Sequence, residues 1–180
     1  MPTRNVDNLK WFPAGPPAGT RGQFGAQSFT AETRVRKLQG IASTSPQLWL
    51  SHVDGRFAPL EAIDPRTGRP GLEWFLEAGQ QFLHAAAADL CASGRPPRCS
   101  RLKYLLAMPV IGTGTGGARN NSGRMIARVL QLLHSFVSES GGVDVVLVVK
   151  SDRMFSAAQA HRRQLSEMSA RWEQLLGRRL

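Results

Sequence analysis

Apolar residues change their spacing several times along the chain, and each change marks an element. Residues 1 to about 45 show little periodicity, and the stretch PAGPPAGTRGQFG is a loop by its proline and glycine content. Gln47 to Val53, QLWLSHV, alternates well enough to be a short strand. DGRFAPLEAIDPRTGRPG is again rich in turn formers. From Leu72 the spacing becomes helical: Leu72, Phe75, Leu76, Gly79, Phe82, Leu83, Ala86 and Leu90 share one side of a helix that ends near Gly94, before a double proline.

The second half carries the stronger pattern. KYLLAMPV reads as a buried strand. SGRMIARVLQLLHSFVSES reads as a helix with Ile126, Val129, Leu130, Leu133, Phe136 and Val137 on one face. VDVVLVVK is a β-branched run almost without alternation, which suits a parallel strand covered on both faces. Ser151 and Asp152 then cap a third long helix. Its residues Ala158, His161, Leu165, Met168, Trp172 and Leu175 form a heptad seam, which either packs on its own sheet or projects its last turns toward a partner. Strand, glycine loop, helix, strand, helix predicts an α/β layered fold with a mostly parallel sheet. The expected organisation is an irregular segment over 1–45, one α/β domain over 46–176 and a tail over 177–180.

Composition narrows this picture only a little. A chain of 180 residues suffices for one domain with a substantial core. No window approaches the length of a membrane span, and MPTRNVDNLKWFP lacks a signal-peptide core, so the expected location is cytoplasmic. Cys91 and Cys99 are then expected as free thiols, and their spacing with His84 does not suit a zinc site. The net charge of +10 raises the question of nucleic acid, but the basic residues look scattered, with no block and no interleaved aromatics. That argues against nucleic acid as a partner, while the charge suits an anionic ligand in general.

The candidate chemistry lies in LAMPVIGTGTGGARNNSG, between the second strand and the second helix. Glycines let a backbone approach a phosphate, and a helix N-terminus after a parallel strand offers unpaired N–H groups. Gly112, Gly114, Gly116, Gly117 and Gly123 punctuate the stretch, Thr113 and Thr115 add hydroxyls, and Asn120 precedes the helix. A nucleoside-triphosphatase loop fails here, because Ala118 and Arg119 stand where Lys and Ser or Thr are required. The dinucleotide pattern G-x-G-x-x-G fits Gly112 to Gly117. The acid that should follow some 20 residues later is missing, Asp152 lying well beyond, beside Lys150 and Arg153.

LLAMPVIGTGTGG, then a helix, then VDVVLVVKSDRMFSAAQ, resembles the C-terminal half of macro domains over about 60 residues, from Arg101 to Arg163. The resemblance implies a three-layer sandwich with a mostly parallel central sheet, its N-terminal part incomplete or irregular. It implies ADP-ribose or a related NAD-derived nucleotide as ligand, with no resident cofactor. Gly112, Thr113, Gly114, Thr115, Gly116 and Gly117 would hold the diphosphate, Asn120 would be a further ligand-binding residue, and Asp152 and Phe155 would be candidates for the adenosine end. The pattern is also similar to macro-like modules that precede sirtuin-like NAD-consuming domains, which implies such a domain as a partner of the C-terminal helix. The early asparagine-rich strand end and second glycine loop of macro domains are not reproduced; if MPTRNVDN is the remnant of that strand end, with Asn5 and Asn8 as poor substitutes, the chain begins inside the fold.

No catalytic set emerges. His52, His84, His134 and His161 lie on separate elements, and Asp54, Glu61, Asp64 and Glu73 are explained as turn formers and caps. The reading therefore leans toward a binding module rather than an enzyme. The alternatives are a Rossmann-type NAD(P) site drawing on Lys150 and Arg153, a basic nucleic-acid-binding module, and a domain that keeps the glycine loop as scaffold alone.

Overall fold

A computed structural model describes residues 34–37, 46–53, 55, 58–94, 101–112 and 122–177. Two compact units divide the chain, Met1–Gly94 and Arg95–Leu180. Both combine helix with strand, so the α/β character stands; among the described residues each sheet has two strands.

In the first unit, β1 (Val35–Lys37) runs antiparallel to β2 (Trp49–Ser51), pairing Val35 with Ser51 and Lys37 with Trp49. β2 is the core of the strand expected over Gln47–Val53. β1 lies in the segment that shows little periodicity. A 3-10 turn at Leu60–Ala62 leads into a small hairpin of β3 (Ile63–Asp64) and β4 (Arg69–Pro70). Gly68 closes that hairpin at φ +61, a conformation other residues rarely adopt. The Arg66 backbone N–H donates to Asp64 Oδ1 at 2.9 Å and holds that carboxyl below the usual carboxylate range.

The helix α1 (Leu72–Ser93) spans the predicted range. Gly94 ends it in the left-handed region, its N–H directed to the Cys91 carbonyl. The buried face comprises Trp74, Phe75, Leu76, Ala78, Gly79, Leu83 and Ala86, and α1 contacts β1 and β2. Trp49 meets Phe82 edge to face, and the Lys37 ammonium pairs with Asp89 at 2.6 Å.

Arg34, just ahead of β1, is wholly buried. Its Nε and Nη2 donate to the His52 carbonyl at 3.1 and 2.9 Å, and Nη1 donates to the Trp74 carbonyl at 2.5 Å. The guanidinium lies over the Trp74 ring, 3.3 Å from its centroid, and 3.8 Å from the half-exposed Glu77 carboxylate. Its own backbone N–H donates to Gln81 Oε1. Burial pushes its pKa down to about 10, and Glu77 offsets part of that shift. Trp74 Nε1 is buried and finds no acceptor among the described residues.

In the second unit, β5 (Tyr104–Pro109) and β6 (Val143–Val148) pair in parallel, from Tyr104 against Val143 to Pro109 against Val148. The crossover is α2 (Ser122–Ser140), the helix read from the sequence; Gly141 ends it at φ +57. Leu106, Met108, Val143, Met125, Ile126, Val129, Leu133 and Phe136 form the core. The expectation that β6 is covered on both faces fails. Leu105, Val146 and Val148 are 48%, 45% and 51% exposed, and Ala107 and Pro109 lie exposed with them. Residues two apart on a strand share a face, so one whole side of the pair is open. α3 (Asp152–Gly177) contacts α2, and His134 Nε2 lies 3.2 Å from Ser169 Oγ. Ala158, His161 and Leu165 of the seam are half-buried, while Met168 is exposed.

Arg34→Met is expected to lower stability by about 3 kcal/mol, because the carbonyls of His52 and Trp74 lose their donors in a buried place. Arg34→Lys keeps the charge without the planar fork and is expected to recover less than half of the loss. Urea denaturation followed by tryptophan fluorescence measures both; wild-type stability in the methionine variant would remove the guanidinium from this role. Since the folded pKa is depressed, the fold gains stability only as pH rises above about 10 and loses that gain as pH falls back through it. Between about pH 6 and 9 the group is charged in both states, and stability should show no slope from it.

Candidate functional site

Parallel pairing sends both strands out of the sheet at the same end. The ladder continues one residue past β5, where the Val110 N–H donates to the Val148 carbonyl at 3.3 Å. Val110 and Ile111 are buried, which anchors the exit of β5. Gly112 follows at φ +75, so the chain turns there through a conformation that glycine adopts without strain. Thr113, Gly114, Thr115, Gly116, Gly117 and Asn120 lie outside the described residues. The chain returns at Ser122, the first residue of α2. A Cβ at Gly123 would meet nothing within 4 Å, so packing does not require glycine at that position.

The second exit is short. After Val148 the chain passes Val149 and Lys150 to Ser151, whose carbonyl accepts the Phe155 N–H at 2.9 Å as the first turn of α3. Ser151 Oγ accepts the Met154 N–H at 3.4 Å, so the expected cap is present in its side-chain form. Met154 is buried and fixes the helix start against the core. Lys150, Asp152 and Arg153 are exposed, and Phe155 is 54% exposed. The pairing therefore brings Gly112 and the Asp152–Phe155 helix start to one end of the sheet, the end where a parallel sheet takes its ligands. Helix N–H groups at that end favour an anion, and the exposed ring of Phe155 offers a flat apolar surface.

Among the described residues, groups for covalent or metal chemistry are not brought together. Among the described residues no cluster of three or more His, Cys, Asp or Glu could hold a metal ion. His52 is buried in the first unit, where its carbonyl is occupied by Arg34. His161 meets Gln164 of its own helix, at 3.2 Å. His134, with Ser169 at 3.2 Å, joins two helices, and that pair lacks an acidic third member among the described residues. Cys91 is a free, exposed thiol, as expected; Cys99 lies outside the described residues. No described helix is long and apolar enough to cross a membrane.

Arg34 is the residue that sequence reasoning missed. It stands among scattered arginines, and only the tryptophan beneath it and two backbone carbonyls distinguish it; no local spacing announces those. In the second unit, Ser151→Ala removes the side-chain cap of α3 and is expected to cost about 1 kcal/mol, or a few degrees in Tm. A thermal melt followed by circular dichroism measures this, and an unchanged melt would show that Ser151 does not hold the helix start.

Comparison with protein-family models, with curated proteins and with solved structures finds no match to this chain in any of the three.

Proposed function

We propose that the chain binds ADP-ribose or a related NAD-derived nucleotide, as a sensing or regulatory module rather than an enzyme. The observation that supports this most is the in-register parallel pair. Gly112 follows Pro109 by three residues and Asp152 follows Val148 by four, and Pro109 and Val148 are partners. A ligand lying across the strand ends would meet glycine-rich backbone at one side and the start of α3 at the other. The diphosphate belongs at the Gly112–Gly117 stretch, where bare backbone and the N-terminus of α2 suit two negative charges. The adenine belongs on Phe155, with Asp152 accepting hydrogen bonds from the adenosine ribose.

The reading also carries the finer fold expectation, a three-layer macro-like sandwich, and a sirtuin-like domain as partner of α3. A second reading is favoured by one observation. Lys150 and Arg153 are exposed on either side of Asp152, and such cations would welcome a 2′-phosphate, hence NADP.

Calorimetric titration with ADP-ribose, NAD, NADP and ATP separates these readings. ADP-ribose is expected to bind with micromolar affinity, and Gly114→Glu, which sets a carboxylate where the diphosphate would lie, is expected to abolish the heat. Tighter binding of NADP than of ADP-ribose would favour the second reading. No heat with any nucleotide from a folded protein would overturn both.

A further inference from the structure

The positive charge looks scattered along the chain, yet nearly all of its surplus falls in one of the two compact units. Met1–Gly94 carries nine lysines and arginines against eight aspartates and glutamates, whereas Arg95–Leu180 carries fourteen against five. The surpluses are +1 and +9, which together make the chain's +10. Every described basic residue of the second unit is exposed. Arg101 is engaged by Asp144 at 2.5 Å. Arg124, Arg153, Arg162, Arg163 and Arg171 form no ion pair with any described residue. Unpaired like charges repel one another, and a partner of opposite charge relieves that repulsion.

The arrangement on α3 indicates the kind of partner. Phe155 is half-exposed near the start of this helix. Arg162 follows it by seven residues, two turns and about 10 Å farther along the axis, and so lies on the same side; Arg163, eight residues on, stands about 80° round the axis, at the margin of that side. The half-buried seam of Ala158, His161 and Leu165 occupies a different side, and α3 contacts α2. We propose that the side of α3 bearing Phe155 and Arg162, with Arg163 at its margin, binds single-stranded nucleic acid. The guanidinium groups hold its phosphates, and the phenyl ring stacks on an unpaired base. A duplex keeps its bases stacked and would leave Phe155 without a role. A membrane surface would need an apolar stripe beside the arginines, and one phenyl ring does not supply it. The inference draws on residues that lie on α3 alone and does not depend on the glycine stretch.

The test uses the full chain and a fluorescently labelled mixed-sequence single strand of about 20 nucleotides, titrated across salt from about 50 mM upward. Binding is expected at low salt and should fall linearly in the logarithm of salt concentration. Arg162→Ala with Arg163→Ala should weaken binding by roughly tenfold or more and reduce the salt slope by about 1.4, at ~0.7 per lost phosphate contact. Phe155→Ala should weaken single-strand binding by about tenfold and leave duplex binding unchanged. Arg66→Ala with Arg69→Ala, on the hairpin of the first unit, should change neither affinity nor slope. Circular dichroism verifies that each variant keeps its helices. The proposal is overturned by absence of binding at low salt or by equal losses from the two arginine pairs. It is equally overturned if duplex binds as tightly as single strand with Phe155→Ala silent, or if anionic vesicles are bound and oligonucleotides are not.

Discussion

Two strands that run the same way cannot be joined by a tight turn. The chain must leave the sheet, cross it and return, and in doing so it delivers both strand ends to one edge. In this protein the parallel pairing of Tyr104–Pro109 with Val143–Val148 is that constraint. It dictates that α2 be amphipathic, with Met125, Ile126, Val129, Leu133 and Phe136 turned inward. It requires a left-handed residue at Gly141 so that the chain can reverse into β6. It also brings Gly112 and the serine-capped start of α3 to the same end of the strand pair, although nearly forty residues separate them in sequence.

The two units solve their burial problems differently. The second uses apolar side chains on one face of its strand pair and leaves the other face, with Leu105, Val146 and Val148, open. The first, among its described residues, has strands of two or three residues; it buries the apolar face of α1 and, over Trp74, a cation as well. A guanidinium in a dry place is costly unless its N–H groups are occupied. Here two backbone carbonyls and an indole face receive it, which ties the end of β2 to the first turn of α1.

Much of the helical architecture was legible, and for identifiable reasons. Gly94 stops α1 and Ser151 starts α3, where the sequence places them, and α2 covers the run read as helical and ends at Gly141. β5 was legible as an apolar run and β6 as a β-branched one, but such runs do not say which of their faces a neighbour covers; hence the open face went unforeseen. β1 escaped because three residues, two of them Arg36 and Lys37, carry no alternation. Of the candidate site, Gly112, Asp152 and Phe155 could be followed into the structure, and the register of the strand pair relates them. That register is a long-range property, and no spacing within the glycine stretch could have revealed it. The uneven division of charge was likewise hidden until the chain could be split at Gly94, because a residue count has no boundaries of its own.

The buried arginine bears on how the first unit comes apart. Its guanidinium grips carbonyls that lie 18 and 40 residues downstream, while its own amide holds Gln81. These attachments share one residue, so detaching the end of β2 from α1 would leave a buried charge without its partners. Fraying one strand at a time is thereby suppressed, and the unit opens as a single cooperative block. In hydrogen exchange this places amides from distant parts of its sequence, such as that of His52, which donates to the Arg34 carbonyl at 2.7 Å, under one common opening free energy.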